Sequence, residues 1–196
     1  MTRTAPDLSK PCGGKAKGFT VTGILEQVAR RHGPQVVAEF ARSLPDAYRA
    51  PIENKLLLPA AWVPMELYFA VVQFLVQRFH GGDPKAALEL GRQAAAENIG
   101  SFFKAVLSFT SPAMVINMSG RFWKSYYDVG ELKAVVNEKG RVVGELSQWP
   151  FDDELTVNEL GGSFLAYLEK SRAQDVRLHE AGPVAKGTLR FDVRYR

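Results

Sequence analysis

The three histidines of this chain have the residue type that suits acid–base or metal chemistry, but their spacing argues against both. His32, His80 and His179 lie far apart in the sequence, and each falls near the end of an expected element. Histidine ligands of a metal commonly come as local pairs, such as i and i+4 on one helix face. No such pair occurs, so we expect surface or helix-capping roles, with His80 at a helix end where the dipole favours a cation.

Other motifs that carry catalysis are also missing. The sequence contains no G-x-x-x-x-G-K-[ST], no G-x-G-x-x-G and no G-x-S-x-G, so neither backbone binding of phosphate nor a nucleophile elbow is indicated. The acidic run Asp152-Asp153-Glu154 has the oxygen ligands that a hard cation prefers. Negative charge just ahead of a helix N-terminus explains the run as well. We predict no metal site and no enzyme activity, although a fold can still bring a distant acid–base pair together.

The composition indicates one soluble domain in the cytoplasm. No apolar run reaches the ~18–20 residues of a membrane-spanning helix, and no hydrophobic segment follows the first charges as in a secretory signal. The single cysteine, Cys12, excludes intramolecular disulfides and multi-cysteine metal sites. It lies in a stretch rich in Pro, Gly and Lys, so we expect an exposed thiol.

The positive charge of the chain is concentrated at its two ends. The net charge is +4, but residues 1–17 and residues 186–196 each carry +3, which leaves −2 for the segment between them. A broad positive face for neutralising phosphates is therefore missing, and we do not expect nucleic acid to be the main partner. An alternative is electrostatic docking to nucleic acid or an acidic protein through Arg190, Arg194 and Arg196.

Aromatic residues are the remaining candidates for a binding site. They are concentrated where a helix runs into a strand, and they are suited to line a pocket between helices and sheet. The same residues are also typical of an ordinary core. The predicted ligand-binding set is Trp62, Phe102, Phe103, Phe109, Trp123, Tyr126 and Tyr127.

The pattern of apolar residues predicts an α+β fold, with an N-terminal helical bundle packed on a small antiparallel sheet made of two hairpins flanking a helix. We expect a flexible basic arm over residues 1–17 and a single domain over 18–196. Gly161-Gly162 inside a helix suggests close backbone packing, a ligand or a partner. The predicted elements are helices over 19–32, 36–44, 64–79, 84–96, 102–109 and 112–126, a connection over 45–63, strands over 132–136, 141–148, 176–180 and 189–195, and a helix opened by a Thr156/Glu159 capping box.

Recurring Gly, Pro and aromatic positions resemble a paralogous family of uncharacterised domains found in myxobacteria. The order of elements is similar to the fold shared by haem-nitric-oxide-binding domains, four-vinyl-reductase-type sensor domains and Bet3-type subunits of vesicle-tethering complexes. The resemblance implies a scaffold that encloses haem or a small aromatic or lipid-like molecule, or that pairs with another protein. Its residues are Gly18, Leu44-Pro45, Trp62-Val63-Pro64, Gly82-Asp83, Leu90-Gly91, Ser111-Pro112, Phe122-Trp123, Tyr126 to Gly130, ELGGSFLAYLE and Gly187 to Phe191.

Two marks of the cofactor-binding branches of that superfamily are missing here. No Tyr-x-Ser-x-Arg occurs, and no cysteine follows Cys12. We therefore expect a non-enzymatic regulatory or sensor domain that uses no cofactor and binds a small apolar ligand or a protein partner. The alternatives are a haem-binding gas sensor with His80 or His179 as axial ligand, and the electrostatic docking above. The resemblance also implies a homodimer, with a face such as Phe102-Phe103-Val106 shared between subunits.

Overall fold

The structure of the chain, a computed structural model, describes residues 8–99 and 110–196. Within these ranges it has the predicted α+β organisation, with helices concentrated in the first part and antiparallel strands in the second. The predicted helix over residues 102–109 lies outside the described residues. No helix in the described ranges combines the length and the apolar character needed to cross a membrane.

The first part is a helical bundle built around one central helix. Its elements are β1 (Lys15–Lys17), α1 (Gly18–His32), α2 (Pro34–Arg42), α3 (Asp46–Glu53), β2 (Trp62–Pro64), α4 (Met65–His80) and α5 (Ala86–Asn98). Helix α4 is buried on nearly every side along its first three turns, which explains why its sequence is apolar without a polar stripe. It ends at His80 and is followed by Gly81, whose φ of 61° is the left-handed conformation that favours glycine.

The second part begins with an N-cap residue followed by a proline. The Ser111 hydroxyl accepts the Met114 N–H at 3.3 Å, and Pro112 opens the helix. The elements are α6 (Pro112–Tyr126), β3 (Glu131–Glu138), β4 (Arg141–Ser147), α7 (Glu154–Glu169), β5 (Arg177–Ala185) and β6 (Thr188–Arg194).

The four long strands form one antiparallel sheet in the order β3-β4-β6-β5. On β6, Leu189, Phe191 and Val193 are buried and Arg190 and Arg194 are exposed, as expected of a strand with one wet face, but Asp192 on that wet face is buried. Helices α6 and α7 both contact this sheet. A second sheet pairs β1 with β2.

Two local predictions were wrong. Residues 46–53, predicted as part of a connection, form α3 with Pro51 inside it. The helix α7 starts at Glu154, because Asp153 caps it by accepting the Thr156 N–H at 3.0 Å. The Thr156/Glu159 capping box therefore does not form, and Glu159 is fully buried instead.

The C-terminal end of the segment predicted as a flexible arm forms a strand. Of residues 1–17 the structure describes 8–17, and Lys15–Lys17 form β1. Ala16 is fully buried, and the Lys15 N–H donates to Asp128 at 2.6 Å. This segment joins the bundle to the end of α6.

A candidate ligand cavity

A cavity of about 120 Å³ lies between α6, α7 and the four-stranded sheet. Helix α6 contributes Val115, Ile116, Ser119, Phe122, Trp123 and Tyr126, and α7 contributes Leu160, Ser163, Phe164, Tyr167 and Leu168. The sheet closes the floor with Leu132, Ala134, Val142, Gly144, Phe191 and Val193. Thr20, Tyr68, Ala95, Asn98 and Tyr127 complete the wall. Ala134 is exposed as well as lining the cavity, so the cavity opens to the surface beside β3.

Glycines fix the position of α7 beside the cavity. A Cβ on Gly162 would lie 1.8 Å from the Leu88 carbonyl oxygen, and a Cβ on Gly91 would lie 2.1 Å from that of Glu159. The backbones of α5 and α7 therefore touch directly, a contact that only glycine permits at these two positions. Of the explanations offered for Gly161-Gly162 from the sequence, close packing is the one that the structure favours.

Aromatic rings form much of the wall. Trp123 lies 4.6 Å from Tyr127 and 5.0 Å from Trp149 between ring centroids, and Phe164 lies 4.7 Å from Phe191. The Trp123 indole N–H donates to the Val129 carbonyl at 2.9 Å, so its polar atom is satisfied by the loop after α6. The ring is thereby held with its apolar surface toward the cavity.

A buried carboxyl group stands behind one end of this wall. Glu159 is fully buried, and its Oε1 accepts the Tyr68 hydroxyl at 2.6 Å and the Ser163 hydroxyl at 3.0 Å. Burial raises the pKa of Glu159 to about 7, while the two hydrogen bonds act to lower it. Tyr68 and Ser163 both line the cavity, so they connect the carboxyl group to the ligand space.

The phenol groups around the cavity are held neutral. Burial is the largest cause that raises the pKa values of Tyr68, Tyr127 and Tyr167 well above 10.0, and the Glu159 charge adds to the increase. Burial also raises the pKa of Tyr126, against a hydrogen bond from Tyr167. At neutral pH these side chains are hydrogen-bonding hydroxyls.

The structure brings together part of the predicted ligand-binding set. Trp123, Tyr126 and Tyr127 line the cavity. Trp62 does not, since it lies on β2 with 41% of its surface exposed and the Lys17 ammonium 4.0 Å from its ring centroid. Phe102, Phe103 and Phe109 lie outside the described residues.

Sequence reasoning missed several wall residues. Phe164 and Tyr167 sit within the apolar pattern of α7, and Tyr68 sits within that of α4, where nothing separates a wall position from a core position. Glu159 carried a usable signal, because an acid inside the apolar sequence ELTVNELGGSFLAYLE is unusual unless it has partners. We had instead interpreted Glu159 as part of the Thr156/Glu159 capping box.

The predicted docking arginines are paired with carboxylates. Arg190 reaches Glu145 at 2.9 Å, Arg194 lies 4.0 Å from Asp192, and Arg196 contacts Asp175. Their side chains are between 51% and 82% exposed. Each positive charge therefore has a negative neighbour, which weakens the electrostatic field available for a partner.

The histidines lie away from the cavity. His32, at the end of α1, stacks on Phe79 at 4.2 Å between ring centroids, His80 ends α4, and His179 lies on β5. The haem alternative with His80 or His179 as axial ligand is therefore wrong in its choice of ligand. In the described ranges, no group of three or more His, Cys, Asp or Glu residues could hold a metal ion.

The fold is that of the H-NOX domains. An unliganded Fe(II) H-NOX protein from K. algicida matches with a TM-score of 0.68 at 9% identity, over 92% of this chain and 96% of that one. An S. oneidensis H-NOX protein in the Fe(II)NO state matches with a TM-score of 0.67 at 12% identity, over 92% and 99%. An oxygen-binding H-NOX domain related to soluble guanylate cyclases matches with a TM-score of 0.61 at 14% identity, over 92% and 95%. No family model and no curated protein sequence matches.

These neighbours overturn the expectation of a fold without a cofactor. Two further structures with the same fold concern haem: one, at 15% identity, concerns haem distortion in the H-NOX family, and the other, at 16% identity, concerns the modulation of haem redox potential by protein-induced porphyrin distortion. The physical reason for the error is that we required the Tyr-x-Ser-x-Arg motif. A fold can be kept at 9–16% identity while such short motifs diverge.

The cavity has the aromatic walls that a haem would need, but its volume of about 120 Å³ is smaller than a haem, no Lys or Arg of the described lining faces the propionates, and only one residue type there could ligate the iron. The aromatic rings suit the faces of a flat macrocycle. None of the described lining residues is His, Cys or Met, and the sequence of residues 100–109, GSFFKAVLSF, contains none of them. Of the four iron ligands His, Cys, Met and Tyr, only tyrosine is among the described lining residues, as Tyr68, Tyr126, Tyr127 and Tyr167.

Proposed function

We propose that this chain is a haem-type sensor domain whose cavity between α6, α7 and the sheet holds a tetrapyrrole. The observation that carries the proposal is an aromatic-walled cavity inside a fold whose neighbours are H-NOX proteins. A sensor role also agrees with the absence of catalytic motifs in the sequence. Haem iron, when bound, supplies a binding position for a small gas.

The chain's own residues would hold the ring and supply a ligand to the iron. Trp123 and Phe164 offer ring faces for stacking. Tyr126 and Tyr167 are the better candidates for the iron ligand, because both are only half-buried, whereas Tyr127 is buried and Tyr68 is buried and donates to Glu159. A bound metal ion stabilises a phenolate by its charge, which opposes the effect of burial on these hydroxyls.

Haemin titration tests this function directly. We expect a Soret band that saturates at one haemin per chain in the wild type, and loss of that band in Tyr126→Phe or Tyr167→Phe. Tyr195→Phe is the matched control, since this tyrosine lies at the end of the sheet and donates to the Glu138 carbonyl at 3.2 Å. If the wild-type protein gains no Soret band, the proposal that it binds haem is wrong.

A sensor for an iron-free aromatic molecule is the second candidate. The cavity volume of about 120 Å³ is close to that of an engineered apolar cavity of ~150 Å³ that binds benzene. No Lys or Arg is among the described lining residues, so acidic groups on a ligand would find no cation there. Native mass spectrometry of protein purified from its host distinguishes the two: a retained mass without haem absorbance supports this candidate, and the mass of haem supports the first.

Membership of the myxobacterial family, a cytoplasmic location and a homodimer or other protein partner stay predictions. The face predicted for the dimer, Phe102-Phe103-Val106, lies outside the described residues. Size-exclusion chromatography with light scattering would test the dimer, and a single monomeric mass at all concentrations would reject it.

A further inference from the structure

The Tyr68–Glu159–Ser163 cluster gives the cavity one polar end. Both hydroxyls meet the same carboxyl oxygen, Tyr68 at 2.6 Å and Ser163 at 3.0 Å. The other oxygen of Glu159 is buried and has no hydrogen-bond partner in the described structure. Buried carboxyl groups are costly unless they are hydrogen-bonded, so this cluster is an unusual feature in a wall that is otherwise mainly apolar.

The hydroxyl groups of Tyr68 and Ser163 can accept hydrogen bonds from a ligand at this end of the cavity. A hydroxyl has one proton and two lone pairs, and an ionised carboxylate has only lone pairs. With Glu159 ionised, the protons of Tyr68 and Ser163 both point at Oε1. The Gly91 carbonyl, at 3.4 Å from the Ser163 hydroxyl, is the more distant acceptor. What remains toward the cavity at this end is a pair of oxygen lone pairs.

Two other hydroxyls of the wall are committed in the same way. Thr20 donates to the Lys17 carbonyl at 2.7 Å, and Ser119 donates to the Ile116 carbonyl at 2.7 Å. Tyr68, Ser163, Thr20 and Ser119 therefore present hydroxyl oxygens whose protons are already used by the protein. Such groups favour a ligand that donates a hydrogen bond over one that only accepts.

We propose that the Tyr68–Ser163 end of the cavity selects ligands with a hydrogen-bond donor, such as a ring N–H, on an otherwise apolar aromatic body. This rests on the proposed function only in requiring that the cavity is a ligand site. It narrows the ligand class, because an aromatic molecule without a donor leaves the two oxygens desolvated and unpaired, which carries a penalty on burial. Haem has no ring N–H once iron is bound, so the inference bears most directly on the iron-free candidate.

Indole and indene form a matched pair of probes, since both have a fused six- and five-membered ring and indole alone has an N–H. Their affinities are to be measured at pH 8, where Glu159 is ionised, by isothermal titration or ligand-observed NMR on the full chain. We expect indole to bind about tenfold more tightly than indene, the size of effect of one buried hydrogen bond. In Tyr68→Phe or Ser163→Ala the preference should fall toward unity, and in Tyr195→Phe it should persist.

Two variants are needed because loss of the Tyr68 hydroxyl could disturb folding, whereas Ser163 is half-buried and smaller. Equal binding of the two probes to the wild type, no binding of either, or a preference kept in both variants would overturn the inference. Haemin titration of the same preparations separates it from the proposed function. A Soret band without an indole preference overturns only the donor selectivity, and an indole preference without a Soret band supports it and rejects haem.

Discussion

Helix α7 packs in opposite ways on its two sides. On one side Gly162 meets α5 so closely that a Cβ there would lie 1.8 Å from the Leu88 carbonyl oxygen. On the other side Phe164, Tyr167 and Leu168 border a cavity of about 120 Å³. One element therefore carries both a close backbone contact with a neighbour and the wall of an unfilled space.

The difference suggests how an unfilled space survives next to a well-packed core. Cavities cost stability because the lining atoms lose contacts, and the surrounding structure relaxes in part to close them. Backbone contact with α5 holds α7 in position through atoms that cannot change rotamer, so the cavity side is not free to collapse. Tight packing on one side is thus a condition for the open site on the other.

The substitution Gly162→Ala should disrupt the backbone contact between α7 and α5. The added Cβ meets backbone atoms of α5, the Leu88 oxygen and the Arg92 nitrogen, which cannot move without shifting the whole helix. Overpacking of this kind costs about 3 kcal/mol or more of unfolding free energy. Urea denaturation measures it, and α5 and α7 should also lose amide-exchange protection.

A glycine of the cavity floor supplies the matched control. A Cβ on Gly144 would lie 3.7 Å from a Leu132 methyl, an ordinary contact, and Gly144 has no positive φ. Gly144→Ala should change stability by less than about 1 kcal/mol, with a gain favoured because alanine restricts the unfolded chain. Similar losses in the two variants would show that the two sides of α7 do not differ in the way we describe.

The buried carboxyl group between the two sides should make stability depend on pH. The pKa of Glu159 is about 7 in the folded chain, against an ordinary 4.5, so between these pH values the folded state keeps a proton that the unfolded state has released. Stability therefore falls as pH rises through this window, by about 3 kcal/mol, and then levels off. The phenols of Tyr68, Tyr127 and Tyr167 that face Glu159 stay neutral throughout, because their pKa values are raised above 10.0.

Glu159→Gln should remove this part of the pH profile. Urea denaturation between pH 4 and pH 8.5 would show a smaller decline for this variant than for the wild type. Glu26→Gln, a change of the same kind at an exposed position of α1, should keep the wild-type decline. If the unfolding free energy of Glu159→Gln declined with pH as much as that of the wild type, groups other than Glu159 would be its cause.

The sequence predicted elements well where the signal is local. Ser111 and Pro112 open α6 because a cap and a proline at the first helical position act within one turn. The missed helix α3 shows the limit of the same reasoning, since Pro51 inside it argues against a helix. Its apolar side is buried through Ile52, and such tertiary packing can override a local propensity.

The site was less predictable because its residues meet across long stretches of sequence. Tyr68 and Glu159 are 91 residues apart, and no local pattern links them. Trp123, Tyr126 and Tyr127 were found because they cluster within one helix end. Trp62 was included on residue type alone, and it lies at the edge of β2 beside Lys17.

The smallest effect is expected at the rim of the packed side, where Arg92 of α5 reaches Glu169 of α7 at 2.7 Å. The Arg92 side chain is 44% exposed, so solvent screens the pair, and such surface ion pairs contribute about 0–1 kcal/mol. Arg92→Gln should therefore lower the unfolding free energy by roughly 0.5 kcal/mol at low salt, with the difference shrinking in 1 M salt. A loss as large as that of Gly162→Ala would mean that charge at the rim, and not the glycine contact, holds α7 against α5.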